Sequence, residues 1–437
     1  MKIGVISLGC AKNLVDTENL LGILSLGNQE IVQNYEDAEA IIINTYGFIE
    51  SAKSEAIDTI LEAASYKEQG LKKLIVMGCL SQRYKPQLVE ELPEVDRFIT
   101  LNEYKDLGKI LSEELGVKIP NTYGKTSRIL SGKPWMAYLK IAEGCDNKCS
   151  YCAIPGIRGP LDSFPEEELV REARRLASQG VKELNLIAQD SSRYGYDWDH
   201  RLHLSSLLKQ LDEIEGLRWI RILYLYPDEI PDDLLETIRQ SRHILPYFDI
   251  PTQHGSNRML RAMNRRGSRE EILERVQTIR NTFENAVLRT TLITGFPGET
   301  EEDHQLSLDL LEKIRWDHLG AFTYSKEEDT PSYELEDDVP PEEKDRRLQE
   351  IYELQNRIVQ EDRQKLLHHS CTILVEGYEG ITSMYKGRSE MFAPDGTDGF
   401  VRVRSDRNLK PGDMIRAEYI RINGYSMTAE DRGDADD

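Results

Sequence analysis

Apolar and polar positions follow two alternating patterns along the first part of the chain. Short apolar runs, each the length of a buried strand, are separated by longer stretches whose apolar residues recur at helical spacing. The apolar runs are KIGVISL, AIIIN, KLIVMG and RFITL. Strands that alternate with helices in this way are typical of a parallel sheet with helices packed on its faces. We therefore predict an α/β domain over residues 1–120.

A second, longer alternation begins near Ala137, after a polar and turn-rich linker at 120–132. Six apolar runs, from AYLKIAEG to HLGAFTYS, alternate with helical stretches. Six such units predict a complete or partial α/β barrel, whose chemistry lies at the carboxyl ends of its strands. A long amphipathic helix that begins at PPEEKDRR leads out of this barrel. We place the barrel domain at residues 132–366.

Short β-rich runs separated by Gly and Asp turns occupy the rest of the chain, residues 368–437. This pattern predicts a small β-barrel. The final DRGDADD is expected to be a solvated tail. The predicted fold class is therefore α/β, with an N-terminal parallel-sheet domain, a central and partial barrel, and a small C-terminal β-barrel.

The composition narrows the classes of protein to which the chain can belong. It has 437 residues, 39% of them apolar, so it can bury sizeable cores. It carries 55 Lys+Arg against 77 Asp+Glu, and this negative charge repels phosphate backbones and attracts basic partners. No apolar run reaches about 18 residues, and the N-terminal run is too short for a secretory signal. We expect a cytoplasmic protein with no membrane partner, whose main substrate is not a nucleic acid.

The loop EGCDNKCSYCAIPGIRG carries Cys145, Cys149 and Cys152 in C-x3-C-x2-C spacing. Three thiolates this close repel one another unless a metal stabilises the deprotonated form. Iron–sulfur cubanes are commonly held by four cysteine thiolates, so three leave one iron open to a small molecule. Zinc would need a fourth nitrogen or sulfur ligand, which this loop does not supply. Lys148 and Arg158 lie beside the cysteines, where positive charge favours thiolates and raises the reduction potential; a solvated role is the alternative.

Three strand ends of the N-terminal domain carry residues that are expected to converge. Cys10 and Cys79 each follow an apolar run, and Tyr46 holds the equivalent place after a third run. Ligands of parallel sheets gather outside the carboxyl ends of the strands. A phenol is a harder and less acidic ligand than a thiol. The pattern therefore predicts a site that has two thiols and, at the third position, Tyr46.

The cysteine loop resembles that of the radical S-adenosylmethionine superfamily. This resemblance implies that Cys145, Cys149 and Cys152 hold a [4Fe-4S] cluster whose open iron chelates the amino and carboxylate groups of S-adenosylmethionine. The superfamily uses an electron from that cluster to split the sulfonium and form a deoxyadenosyl radical.

Further motifs resemble those of the methylthiotransferases, in particular the branch that modifies an aspartate of a ribosomal protein. These motifs are SLGCAKNLVDTE, GCLSQRY, ELNLIAQDSSRYG, DIPTQH, GFPGETEED and KGRSEMFAP. In the tRNA-modifying branch, the first of these motifs would read closer to GCQMNEYDSE where this chain has GCAKNLVDTE, and GQNVN would stand within the motif that here reads ELNLIAQDSSRYG. The resemblance covers nearly the whole chain and implies, in order, a methylthiotransferase domain, a radical domain and a TRAM barrel.

In the family that this chain resembles, all three N-terminal strand ends carry cysteines, which hold an auxiliary [4Fe-4S] cluster. Cys10 and Cys79 keep that pattern, and Tyr46 departs from it. Three interpretations stay open. The auxiliary cluster is absent or labile, or it is completed by a tyrosinate or an exogenous ligand. In the third, Tyr46 is an altered residue in an otherwise normal enzyme. Phe164 and Phe392 also replace an arginine and an aspartate of the family, and either change could weaken substrate docking.

Five residues of the barrel are candidate contacts of S-adenosylmethionine. Gln189 and Asp190 end a strand, where Asp190 could bind a ribose hydroxyl or cap the following turn. Arg289 could pair with the cofactor carboxylate or form a buried ion pair. Gly295 would allow a close approach of the backbone to a ligand or simply form a turn. Gln253 is predicted to face the same side.

The charge of the C-terminal barrel bears on the partner. From Cys371 onward the chain has 13 acidic and 9 basic residues, whereas a barrel that grips RNA is expected to be basic. An acidic barrel suits a basic ribosomal protein. The resemblance implies an aspartate β-carbon of small-subunit ribosomal protein number twelve as the substrate, and an electron donor such as flavodoxin or ferredoxin. The alternatives are a tRNA adenosine methylthiotransferase and a catalytically lapsed binder of the ribosomal protein.

Overall fold

The computed structural model of this chain contains three main β-sheets, and each sheet contributes to a hydrophobic core of its own. The structure describes residues 1–124, 128–396 and 398–435. The predicted fold class is confirmed, because an N-terminal parallel sheet is followed by an open α/β barrel and then by a small closed β-barrel. We propose that the three predicted ranges, 1–120, 132–366 and 368–437, are the domains.

The N-terminal sheet is parallel and is covered by helices on both faces. Its strands are β1 (Lys2–Ser7), β2 (Glu30–Val32), β3 (Ala40–Thr45), β4 (Lys73–Gly78) and β5 (Arg97–Ile99). The helices are α1 (Ala11–Leu26), α2 (Glu50–Ser65), α3 (Cys79–Glu91) and α4 (Leu107–Leu115). The strand order is β2-β1-β3-β4-β5, and every residue of the central β3 is buried because both faces are covered. β2, which the sequence pattern did not predict, is an edge strand too short to stand out as an apolar run.

The second sheet has six parallel strands that follow one another in chain order without closing. The strands of this region are β6 (Met136–Lys140), β7 (Ala142–Glu143), β8 (Asp162–Ser163), β9 (Glu183–Ile187), β10 (Trp219–Ile222), β11 (Ile244–Asp249), β12 (Val287–Thr294) and β13 (His318–Thr323). Of these, β7 and β8 form a separate two-stranded sheet. The other six form the partial barrel that the sequence predicts.

Helices accompany these strands, and most of them pack on the outer face of the partial barrel and bury its largest core. They are α5 (Ile154–Arg158), α6 (Glu166–Ser178), α7 (Tyr196–Asp199), α8 (Leu204–Asp212), α9 (Asp232–Gln240), α10 (Asn257–Ala262), α11 (Arg269–Thr282), α12 (Glu301–Ile314) and α13 (Pro341–Gln364). Thr300 and Asp303 form a capping box that fixes the start of α12. Of the helices in the described ranges, none has the length and apolar character needed to cross a bilayer.

The C-terminal barrel closes in the order β14-β15-β16-β18-β17. Its strands are β14 (Ser370–Glu379), β15 (Met384–Ser389), β16 (Val401–Arg404), β17 (Met414–Asn423) and β18 (Ser426–Asp434). The prediction of a tail from residue 431 was wrong, because β18 continues to Asp434 and pairs with β17. That pairing gives the backbone groups of both strands their partners. Residues 125–127 of the predicted linker and 436–437 of the predicted tail lie outside the described residues.

A buried ionic network joins the small barrel to the second sheet. Glu183 of β9 lies 2.5 Å from Arg388 of β15 and 3.4 Å from Arg221 of β10. Both guanidinium groups also donate to the carbonyl oxygen of Phe392, at 3.1 Å in each case. Phe392, which we linked to substrate docking, is itself fully buried in the barrel core, so it supports the junction and presents no docking surface.

We expect Glu183→Ala to lower the free energy of unfolding by about 3–5 kcal/mol, because it leaves the buried Arg221 guanidinium without its carboxylate and Arg388 with Glu376 alone. Urea unfolding followed by circular dichroism measures the change. Glu236→Ala is the matched control, since Glu236 pairs with Arg239 on the exposed surface and its loss should leave the unfolding midpoint unchanged. Equal midpoints for the two variants would contradict the expectation.

Candidate metal and cofactor site

A cavity of about 830 Å³ lies where the N-terminal sheet meets the carboxyl ends of the second sheet. Both parts of the chain contribute to its wall, including five residues singled out from the sequence: Cys10, Tyr46, Cys145, Cys149 and Cys152. The positions that were far apart in sequence therefore face one shared space, as the rule for parallel strands predicts.

The cysteine loop, residues 144–152, is held in place by its own backbone and by a neighbouring turn. Gly144 has φ +70°, and a side chain there would lie 1.9 Å from the carbonyl oxygen of Pro160. The amide of Cys145 donates to the carbonyl oxygen of Gly159 at 3.1 Å. Ser150 donates through its amide to the carbonyl oxygen of Met263 at 2.9 Å. These bonds orient the three thiols toward the cavity.

Burial makes the free thiols of the loop weak acids. It raises the pKa of Cys145 to about 11 and that of Cys152 to about 12. Their thiolates therefore need a nearby positive charge, which iron supplies. Within the described part of the chain, no three His, Cys, Asp or Glu side chains converge as ligands of a single metal ion. A four-iron cluster instead takes one thiolate per iron, so the loop fits such a cluster better than it fits zinc.

Two of the five candidate cofactor contacts line the cavity. Gln189 donates to Glu143 at 3.2 Å, while its buried carbonyl oxygen has no hydrogen-bond partner. Gln253 lies beside β12 with φ +70°, and its amide donates to the carbonyl oxygen of Thr291 at 2.8 Å. An unpaired buried acceptor suits a ligand that brings amino or hydroxyl donors, which S-adenosylmethionine has.

Asp190 makes the contacts of an N-cap, which is the alternative to its role as a cofactor contact. Its carboxylate accepts from Asn147 at 2.6 Å and from the Ser192 hydroxyl at 2.5 Å, and it caps the turn that begins at Ser191. Burial raises the pKa of Asp190. It is absent from the cavity lining of the described residues, and its bond to Asn147 ties β9 to the cysteine loop.

Arg289 and Gly295 also stand outside that lining. Arg289 pairs with Asp249 at 2.8 Å and with Asp398 at 3.2 Å, which is the buried ion pair foreseen as its alternative role. Gly295 has φ +69°, and a side chain there would meet Lys344. The structure thus brings Gln189 and Gln253 to the cavity and gives Arg289 and Gly295 structural contacts.

Cys10, Tyr46 and Cys79, here called the N-terminal trio, lie at the ends of β1, β3 and β4. Gly9, with φ +92°, lies so close to Tyr46 that an added side chain would come within 2.4 Å of the Tyr46 Cβ. Burial raises the pKa of Cys79 to about 11. The three side chains therefore lie together, as the sequence predicts.

Arg158 and Lys148 take different roles: Arg158 bonds away from the cysteine loop, and Lys148 shows the solvated role given as the alternative. Arg158 turns toward the N-terminal domain, where it lies 3.4 Å from the Cys79 sulfur and 2.6 Å from Asn13. It also pairs with Glu143 at 2.8 Å. Lys148 is exposed. The cation beside the Cys149 sulfur is Arg265, 116 positions further along the chain, which sequence reasoning did not find.

Known proteins match the chain over nearly its whole length. The radical SAM superfamily matches residues 139–311, and the uncharacterized protein family UPF0004 matches residues 2–100. The ribosomal protein uS12 methylthiotransferase RimO of Acetivibrio thermocellus is 42% identical over 98% of both chains. The RimO of Aquifex aeolicus is 44% identical over 99% of this chain and 97% of its own. The chain belongs to the uS12 methylthiotransferase family. The family predicted from the motifs is confirmed.

Solved structures share the fold of this uS12 methylthiotransferase family member at low sequence identity. The radical S-adenosylmethionine methyltransferase TsrM from Kitasatospora setae superposes with a TM-score of 0.56, at 13% identity, over 76% of each chain. The radical enzyme OxsB superposes with a TM-score of 0.51, at 14% identity, over 81% of this chain and 56% of its own. The uS12 methylthiotransferase family, as a radical SAM family, uses [4Fe-4S] clusters and S-adenosylmethionine.

The N-terminal trio does not fit a cluster held by three protein ligands. The Tyr46 ring packs against Cys79, Ala153 and Ile157, with Phe48 beside it. Burial, together with the nearby Cys10 and Cys79, raises the pKa of Tyr46 well above its ordinary value, so its phenol stays protonated. A protonated phenol is a poor iron ligand. This uS12 methylthiotransferase family member therefore offers two thiols where a third ligand is lacking.

We expect the wild-type chain, reconstituted with iron and sulfide and then desalted, to retain about four iron atoms. Tyr46→Cys should raise that number to about eight, because it supplies a third thiolate. Tyr46→Ser is the control, since it shortens the side chain without adding a thiol and should stay near four. Iron and sulfide analysis gives the counts. About eight irons in the wild type, or no gain in Tyr46→Cys, would show that Tyr46 does not limit cluster retention.

Proposed function

We propose that this chain attaches a methylthio group to the β-carbon of an aspartate in ribosomal protein uS12. The main support is its 41–44% identity to uS12 methylthiotransferases along nearly the full length of both chains. The cavity adds chemical support, because the thiols of the cysteine loop and the unpaired acceptor of Gln189 face it together.

In this reaction the chain's own residues would bind the cluster, orient the cofactor and limit the access of water to the cavity. Cys145, Cys149 and Cys152 would hold the radical-forming cluster, which supplies the electron that splits S-adenosylmethionine. Gln189 and Gln253 would orient the cofactor from the ends of two strands. The largely apolar wall of the cavity would limit the water that reaches reactive species. No step is assigned to the N-terminal trio, because Tyr46 does not fit the ligand role.

The rim of the cavity suits a protein substrate. Phe322 of β13 and Ile49, which precedes α2, line the cavity and are 61% and 38% exposed. Exposed apolar side chains at the rim of a concave site are typical of peptide recognition. The net charge of −22 favours a basic partner, and ribosomal proteins are of that kind. Phe164, by contrast, is partly buried against the second sheet's core and is absent from the cavity lining of the described residues.

The proposal implies a cytoplasmic protein that receives single electrons from a donor such as flavodoxin or ferredoxin. Electrostatic repulsion disfavours nucleic acid as the main substrate, since the C-terminal barrel is acidic. The same small barrel is fixed to the second sheet by the Glu183 network. Its acidic surface therefore keeps a constant position relative to the cavity.

The full chain, incubated anaerobically with reductant, S-adenosylmethionine, iron, sulfide and uS12, is expected to add one methylthio group to a uS12 aspartate. Mass spectrometry of uS12 and of tRNA in the same mixture measures the product. Modified adenosine with unmodified uS12 would assign the chain to tRNA instead. Modification of neither substrate by the wild type or by Tyr46→Cys would indicate a binder that has lost catalysis.

We expect Cys149→Ala to abolish the uS12 product, because it removes one of the three thiolates that anchor the cluster. Cys371→Ala is the matched control, since Cys371 lies in β14 of the small barrel and contacts the Ala417 carbonyl at 3.6 Å. It should retain wild-type activity. Activity in Cys149→Ala comparable to that of Cys371→Ala would remove the cysteine loop from the mechanism.

A further inference from the structure

Arg265 presents a guanidinium group to the cysteine loop from a distant part of the chain. It follows α10 and lines the cavity. One of its nitrogens lies 3.7 Å from the Cys149 sulfur, and another donates to the Pro251 carbonyl oxygen at 2.5 Å. The guanidinium carbon lies over the Tyr226 ring, 3.8 Å from its centroid. Arg265 thus contacts a predicted cluster ligand directly.

No carboxylate in the described part of the chain lies at ion-pair distance from Arg265. Among the described residues it forms no ion pair, whereas its neighbour Arg266 pairs with Glu229 at 2.7 Å and with Asp228 at 3.5 Å. Cations removed from water are normally paired with an anion. The partner of Arg265 is therefore expected inside the cavity, where the Cys149 sulfur lies within hydrogen-bond distance of it.

The backbone fixes the distance between Arg265 and Cys149. The turn that carries Arg265 receives hydrogen bonds from the cysteine loop: the Ser150 amide bonds to Met263 at 2.9 Å, and its hydroxyl bonds to Ala262 at 3.0 Å. In return, the Asn264 side chain donates to the Lys148 carbonyl oxygen at 2.6 Å. Three bonds between turn and loop hold the guanidinium beside the sulfur before any cofactor binds.

The other cations near the three cysteines do not provide this charge. Arg158 is occupied by Glu143 and Asp16 on the side of the N-terminal trio. Lys148 is exposed, so water screens its charge. Arg265 is thus the cation that contacts the cysteine loop with no carboxylate at ion-pair distance among the described residues.

We infer that Arg265 is a positioning residue for the radical-forming cluster: it donates a charge-assisted hydrogen bond to the Cys149 thiolate and raises the cluster's reduction potential. A fixed positive charge stabilises the reduced cluster, which is more negative, over the oxidised one. Hydrogen bonds to the sulfurs are an established means of tuning such potentials. The inference rests on the cluster of the proposed function but not on the substrate.

An electron paramagnetic resonance titration of the reconstituted full-length chain tests this inference. A Cys10→Ala/Cys79→Ala background leaves only the cluster of the cysteine loop to be observed. Without S-adenosylmethionine, Arg265→Gln should shift the midpoint potential to a more negative value, and Arg265→Lys should shift it less because it keeps the charge. Arg266→Gln is the matched control, since Glu229 and Asp228 already balance its charge, and its midpoint should equal that of the parent.

Equal midpoints for Arg265→Gln and Arg266→Gln would overturn the inference. A second measurement, the equilibrium affinity for S-adenosylmethionine, separates the nearest alternative. An unchanged midpoint with weaker cofactor binding would assign the Arg265 charge to the cofactor carboxylate, and would also overturn it. If Arg265→Gln loses its iron, Arg265→Lys decides: a midpoint equal to that of the parent would count against the inference, and a more negative one would support it. No uS12 is present, so failure here is distinct from failure of the proposed methylthiolation.

Discussion

The structure depends on how buried sulfur anions are stabilised. Burial alone keeps the thiols of Cys145 and Cys152 protonated, so they bind metal only where positive charge replaces the lost water. The fold brings that charge from two directions: iron would bind in the cavity, and Arg265 is held beside Cys149 by the turn after α10. The hydrogen bonds between that turn and the cysteine loop are therefore part of the metal site and not only of the scaffold.

Tyr46 shows how one residue can separate membership of a family from the chemistry of a site. The strand ends that carry Cys10, Tyr46 and Cys79 converge because β1, β3 and β4 are parallel neighbours in one sheet. Sheet geometry therefore preserves the position of a third ligand even though the side chain there cannot readily ionise. Its ring instead packs against Ala153 and Ile157, next to the cysteine loop. The backbone of the site is intact, and its ligand set is incomplete.

The cavity is shared between domains, so contacts between them shape the site directly. Arg158 follows the cysteine loop in sequence yet bonds to Asn13 and lies near Cys79 of the N-terminal domain. Glu183 and Arg388 fix the small barrel to the opposite part of the second sheet. Buried charges that are paired only when domains are docked make separation costly. Arg158 thereby holds the N-terminal sheet against the cavity, while Glu183 holds the small barrel at the other end of the second sheet.

The sequence by itself determined the class of fold, the strand ends at which Cys10, Tyr46 and Cys79 lie, and the cysteine loop, because apolar periodicity and close spacing are local properties. It could not decide which charged side chains face the cavity: Arg265 reaches Cys149 across 116 positions, while Arg158 and Arg289 turn to carboxylates that only the folded chain brings near. The prediction for residues 431–434 was also wrong: their polar composition suggests a tail, but they form a strand that closes the barrel. Pairs of charges and of strand edges that are distant in sequence form only in the tertiary structure. The tertiary structure therefore decided which charged groups lie beside the cysteines.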